Sequence, residues 1–196
     1  MKKLQVTLTF TEQMLGTKPA NKEVFATYVA GKHPEGTPQR DELDNADRIE
    51  EAGTTVFHRD ADGIPALYDY QVKGFFKDAC GGLRRVEGST SSKLKAYKSV
   101  IDSCIFVGPR LLKLELPEGA AVGICERPLR AETMQGPRVA LARSESVPAG
   151  TVMRFEITVL QDGLVDVVKD WLDYGSLRGI GQWRNSGCGR FSYTVE

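Results

Sequence analysis

Histidine is nearly absent from this chain, with two residues, His33 and His58, and cysteine is sparse and scattered, with four. Cys80, Cys104, Cys125 and Cys188 form no C-x-x-C pair, which excludes the usual zinc-finger and dithiol redox spacings and predicts free thiols. Net charge is also missing: 26 basic residues balance 26 acidic ones, which argues against a protein that coats nucleic acid by bulk charge. No apolar run reaches membrane-spanning length, and Met1-Lys2-Lys3 leads straight into an alternating pattern, so neither a membrane span nor a signal peptide is expected and the predicted location is cytoplasmic. There is no G-x-x-x-x-G-K-[ST] to hold a nucleoside triphosphate. No cofactor or metal site is predicted.

The remaining composition, 41% hydrophobic and 27% charged, is that of a globular protein able to bury a core. We expect a single domain over residues 1–196, with insertions at about 33–62 and 127–148. Charge is unevenly placed. Nine acidic residues face three basic ones between Glu35 and Asp62, whereas Ala66 to Val100 carries seven basic against three acidic, and Arg127 to Arg154 five arginines against two glutamates. An acidic lobe and a basic face are expected from that asymmetry.

Lys3 to Phe10 alternates strictly, with Leu4, Val6, Leu8 and Phe10 on one side, and predicts a half-buried strand. Asn21 can cap a short helix over 22–29, and 41–51 reads as a charged, exposed helix. Two strand patterns over 54–59 and 64–70 flank the turn Asp60-Ala61-Asp62-Gly63 and predict a hairpin. A helix is predicted from about Gln71 to Cys80 and ended by Gly81-Gly82, with a second over 93–106. Strands are predicted at 110–116, 122–127 and 151–160, then a helix from Leu164 to Tyr174 and a last strand at 191–195. Between 127 and 148 the core pattern fades and Arg127, Arg130, Arg138 and Arg143 recur, as in an extended excursion. Strands alternating with helices in this order give an α+β fold, of the ferredoxin-like or RRM-like kind.

The densest motif lies between the last helix and the last strand. Gly179, Gly181, Gly187 and Gly189 make two G-x-G pairs, with Arg178, Arg184 and Arg190 in or beside them and Trp183 between. A dinucleotide fingerprint needs its glycines after a strand and before a helix, so this order excludes it. Exposed backbone N–H groups with nearby guanidiniums suit phosphate, and Trp183 can stack on a base; equally, the glycines can serve tight packing with Trp183 in the core and the arginines in water. Another anion is a further option. On the first alternative, Lys73, Lys77, Arg138 and Arg143 extend the track.

Three stretches together resemble the RAMP superfamily, the repeat-associated RNA-binding proteins of CRISPR systems. Gly179, Gly181, Arg184, Gly187, Gly189 and Phe191 follow its glycine loop; Gln71-Val72-Lys73-Gly74-Phe75-Phe76-Lys77 resembles the turn and helix start of its backbone-subunit branch; and Glu145-Ser146-Val147-Pro148-Ala149-Gly150-Thr151 is similar to the E-x-x-P-x-G-T that precedes a strand of that branch. The resemblance implies a ferredoxin-like core and a non-catalytic protein that binds single-stranded RNA, as a homo-oligomer or as a subunit of a larger complex. It also implies two side readings. His33 follows the first helix, where the RNA-processing branch carries a general base, so a metal-independent endoribonuclease is an alternative. Some backbone subunits of the superfamily cleave target RNA with a loop aspartate, so the acidic segment holding Asp41, Asp44 and Asp47 is a candidate to bind a divalent cation near an RNA backbone, with a solvated helix as the alternative. A different class of function, self-assembly or docking without nucleic acid, keeps the same fold.

Overall fold

The computed structural model describes residues 1–20, 54–133 and 136–196, and gives the backbone alone for 129–133 and 136–140. The helices expected at 22–29 and 41–51, together with His33, Asp41, Asp44 and Asp47, lie outside the described residues.

Strand β1 (Lys2–Phe10) is the centre of the main sheet, and its alternation buries Leu4, Val6, Leu8 and Phe10 on one face. Two short strands, β2 (Met14–Leu15) and β3 (Lys18–Pro19), follow it. After them come β4 (Thr54–Val56), β5 (His58–Arg59), β6 (Pro65–Tyr68) and helix α1 (Asp69–Leu83). Helix α2 (Tyr97–Cys104) leads into β7 (Ile105–Gly108) and β8 (Leu111–Glu115). A long ladder of β9 (Gly123–Thr133) and β10 (Gly136–Val147) precedes β11 (Val152–Val159), helix α3 (Val165–Arg178) and β12 (Phe191–Val195).

In the main sheet β1 pairs antiparallel with β12 on one side and β11 on the other, and β11 pairs antiparallel with β7 and β8. The order β12-β1-β11-β7/β8, with α1 and α3 as the crossovers, is an α+β ferredoxin-like core. Both helices cover the apolar face of β1. Val72, Phe75, Phe76 and Ala79 of α1 and Val165, Val168, Trp171 and Leu172 of α3 are buried, with Phe76 and Trp171 ring centres 5.6 Å apart. The Trp171 indole N–H, too deep for water, donates to Ser91 Oγ at 2.9 Å. No helix among the described residues is long and apolar enough to cross a membrane.

A second sheet is built on β10, which pairs with β9, with β2, and in parallel with β4; β3 pairs with β4. Its presence corrects the single strand expected over 54–59. Thr54–Val56 belongs to the second sheet and His58–Arg59 to the first. The break falls at buried Phe57, whose N–H donates to Glu145 Oε2 at 2.8 Å while Arg59 holds Glu145 Oε1 at 2.5 Å. Several helix boundaries also move: α2 begins at Tyr97 rather than at 93, and α3 runs past Tyr174 to Arg178. Gly81-Gly82 does not end α1, which runs on to Leu83, and the helix expected over 93–106 ends at Cys104 because Ile105, Phe106 and Val107 join the free edge of β11.

The other two family-like stretches have structural duties. Gln71 caps α1 by accepting from the Tyr68 N–H at 2.8 Å and reaches Thr17 Oγ1 at 2.6 Å. Pro148 to Thr151 forms the turn against β1, with the Gly150 N–H on Phe10 O at 2.7 Å and the Phe10 N–H on Thr151 O at 2.9 Å.

Candidate functional site

Helix α3 ends at Arg178, and the chain then makes a closed loop before entering β12. Its neck is backbone against backbone. The Ile180 N–H donates to Gly189 O at 2.9 Å, and the Gly189 N–H donates to Gln13 O at 2.8 Å. A Cβ at Gly189 would lie 1.8 Å from Ile180 O, and one at Gly179 would lie 2.6 Å from Cys188 O, while both residues have positive φ. Only glycine fits either place. Ile180 and Cys188 are buried beneath the neck, and burial pushes the Cys188 thiol up, away from thiolate chemistry.

The neck lifts a tip made of Gln182, Trp183 and one 3₁₀ turn, Arg184–Ser186. Trp183 adopts a left-handed backbone, φ 52°, and leaves 41% of its surface exposed. A bulky side chain in that region costs about 1–3 kcal/mol, and an indole that leaves 41% of its surface exposed offsets that cost only in part. One cation covers the ring: the Arg127 guanidinium, from β9, lies 4.6 Å from its centroid. Arg127 is itself 7% exposed. Its Nη2 donates to Gln182 Oε1 at 3.2 Å, whereas Nε and Nη1 have no hydrogen-bond partner among the described residues.

Beside the tip, one carboxylate serves two arginines. Asp78 of α1 accepts on the same oxygen from Arg178 Nε at 3.1 Å and from Arg184 Nη1 at 2.8 Å, and Arg178 Nη1 reaches Asn185 Oδ1 at 2.5 Å. The two guanidiniums keep an excess of positive charge over Asp78 and remain about a quarter exposed, at 29% and 26%. Arg178, Gly181, Gln182, Trp183, Arg184 and Asn185 line a cleft of about 310 Å³. Chemically this is a shallow cationic cleft with an aromatic wall, suited to an anion attached to a flat ring.

The predicted site residues divide between places. Arg178, Gly179, Gly181, Trp183, Arg184, Gly187 and Gly189 belong to this loop, and exposed Arg190 follows it, its guanidinium carbon 3.5 Å from where a Cβ of Gly187 would be. Lys77 binds Asp102 of α2 at 2.6 Å, and Lys73 lies over the Phe106 ring with Nζ on Asp102 O at 3.2 Å. Arg143 pairs with Glu126 at 2.6 Å on the long ladder, and Arg138 stands on β10 opposite Ala131. Sequence reasoning missed Asp78 and the role of Arg127. Asp78 had a signal: it is the lone acid between Tyr70 and Val86, among Lys73, Lys77, Arg84 and Arg85. Arg127 had only its membership of a spaced arginine series.

Among the described residues no group of three or more His, Cys, Asp or Glu is placed to hold a metal ion. The sequence matches no protein family and no curated protein. Solved structures do match. Over 99% of this chain and 59% of the other, a chain in the cryo-EM structure of the Type III-B Cmr-beta bound to cognate target RNA superposes with a TM-score of 0.57 at 9% identity. A chain of a Type IV-B CRISPR complex superposes over 100% of this chain and 90% of its own, with a TM-score of 0.51 at 11% identity. The chain shares its fold with subunits of CRISPR complexes. It spans 59% of the length of the first of them, and at these identities the likeness is one of fold.

Proposed function

We propose that this chain is a RAMP-type, non-catalytic RNA-binding subunit of a CRISPR-associated assembly, and that single-stranded RNA lies across the glycine loop. The supporting observation is Trp183, an exposed indole held in a strained backbone with a buried guanidinium on one face. A tip shaped only for packing would bury the indole. The structural neighbours, in a Type III-B Cmr-beta complex bound to cognate target RNA and in a Type IV-B CRISPR complex, agree with this reading. Arg178, Arg184 and Arg190 then meet phosphate, Trp183 meets a base, and Arg138 and Arg143 carry the track onto the long ladder.

The test is fluorescence anisotropy with labelled single-stranded RNA between about 50 and 200 mM salt, where phosphate contacts release counterions and affinity falls steeply. Trp183→Ala is expected to weaken binding by roughly tenfold, the loss of one stacked base at ~1–3 kcal/mol. No binding of any RNA at low salt overturns the proposal.

One observation favours a second reading, a nucleic-acid-free interaction protein: Asp78 and Asp102 already hold Arg178, Arg184, Lys73 and Lys77. Light scattering would then show a defined oligomer, or a complex with another subunit, that nuclease leaves unchanged.

A further inference from the structure

Two consecutive glycines in the last turn of α1, Gly81 and Gly82, have no role in the loop described above. Each weakens a helix relative to alanine, and neither has the positive φ that would require glycine. Their surroundings account for them. A Cβ on Gly81 would stand 3.2 Å from the Tyr97 hydroxyl of α2, and one on Gly82 would stand 3.0 Å from the Tyr174 hydroxyl of α3. The two hydroxyls rest against the glycines, and the tyrosines and the helix surface beside them line a groove of about 340 Å³.

The groove is continuous with the loop cleft. Arg178 lines both, and Asp78 stands between them. Asp78 meets Arg178 while Gly82 meets Tyr174, so α1 and α3 run antiparallel along a seam leading away from Trp183. Cations line the seam to its far end. Lys77 and Arg85 border the groove, and Arg84 lies over the Tyr97 ring at 5.0 Å. Arg84 and Arg85 directly follow the carbonyl end of α1 and offset its partial negative charge. Arg85 is exposed, and none of the ion pairs found among the described residues engages it.

We infer that the seam between α1 and α3 is a second nucleotide subsite, in which Arg85 binds a phosphodiester, joined by Lys77 as it exchanges Asp102 for the ligand, and Tyr174 or Tyr97 stacks on a base. The inference rests on the RNA reading of the glycine loop and extends it: the bound strand turns from Trp183 past Arg178 and runs along the helices. A groove lined by tyrosine fits a flat ring, and the cations at its rim fit the anion attached to that ring.

Anisotropy with labelled single-stranded RNAs of about four and about ten nucleotides separates the two sites, because a short strand occupies only one of them. The variants are Arg85→Gln, at an exposed position, and Gly82→Leu, which fills the groove; circular dichroism checks that each folds, and Arg85→Gln decides if Gly82→Leu does not. The longer RNA is expected to bind wild type more tightly than the shorter. Each groove variant should then weaken the longer RNA by about fivefold or more while leaving the shorter within about twofold. Trp183→Ala should weaken both. Groove variants that change neither length, or both lengths equally, overturn the second subsite while leaving the loop site standing if Trp183→Ala still acts. Failure of wild type to bind either RNA overturns both.

Discussion

The edge of the Phe191 ring occupies the space where residue 175 would carry a β-carbon: a Cβ built on Gly175 falls 2.0 Å from Phe191 Cζ. Phe191 is fully buried and wedged edge-on against Phe10 and Phe75, with ring centres 6.3 and 5.6 Å away. The ring therefore has nowhere to go, and α3 must approach β12 through a glycine. Gly175→Ala is expected to destabilise the fold by about 1–3 kcal/mol despite its better helix propensity, since overpacking outweighs the ~1 kcal/mol gained. For a chain of this size that is roughly 2–10 °C in Tm, read by thermal circular dichroism. An unchanged or raised Tm would mean that the ring relaxes.

Arg127 separates stability from function. Its Nε and Nη1 are buried with no partner among the described residues, a penalty of about 1–3 kcal/mol each, set against a ring contact with Trp183 of about 0.5–2 kcal/mol and one hydrogen bond to Gln182. The penalty is at least as large as the gain, and replacing buried charge by apolar side chains of similar volume is often neutral or stabilising. Arg127→Met is expected to leave Tm within a few degrees of wild type while weakening RNA binding several-fold and altering Trp183 fluorescence. A large loss of stability with unchanged affinity would make Arg127 a packing residue.

How far these features are visible in the sequence depends on where their causes lie. β1, β11, β12 and the apolar side of α3 follow from local periodicity, and the glycine loop sits between helix and strand as its spacing predicts. Features set by distant partners are hidden. Phe57 looks like the middle of one strand until Glu145, 88 residues on, accepts its N–H. Gly81-Gly82 reads as a stop until Tyr97 and Tyr174 lie over it, and Ile105 looks helical until the edge of β11 claims it. Arg178 and Arg184 promise free phosphate ligands, yet both lean on Asp78, 100 and 106 residues away from them in sequence.

That shared carboxylate makes a testable competitor for RNA. Asp78→Asn removes a charge that is 35% exposed, so the stability lost is modest, about 1 kcal/mol after screening. Freeing both guanidiniums should tighten RNA binding by several-fold at about 50 mM salt, with the gain fading at about 500 mM as screening shortens the reach of the charge. Weaker binding at low salt would show instead that Asp78 holds the arginines in their productive positions.

His58 gives the fold a pH dependence. Burial, and then the charge of Lys18, hold its pKa below the ordinary value, and its ring stands edge-on to Tyr68 at 4.5 Å. The unfolded chain takes up this proton near pH 6.5, before the folded protein does. The contribution is therefore fully present above about pH 6.5 and is lost as pH falls through that value toward the folded pKa. Between about pH 7.5 and 5.5 the Tm of wild type should fall more steeply than that of His58→Gln; parallel curves would remove His58 as the cause.

Glu145 joins the two sheets, and its replacement tests whether that junction is electrostatic. Its side chain is 16% exposed, with Oε2 accepting the Phe57 N–H and Oε1 accepting Arg59 Nη2. Both neighbours are donors, so both positions require acceptors. A carboxamide at this position offers only one, and whichever way it turned, its NH₂ would face a donor. Hydrogen bonds to a charged group contribute about 1.5–3 kcal/mol, although the Arg59 arm, on a side chain 40% exposed, contributes the smaller share. Glu145→Gln should thus cost about 1.5–3 kcal/mol and, more locally, speed hydrogen exchange at the Phe57 amide relative to amides in the centre of β1. Because Phe57 is where the chain passes from one sheet to the other, exchange there reports on the junction itself. An unchanged Phe57 amide alongside a lowered Tm would place the loss elsewhere and leave the junction to apolar packing.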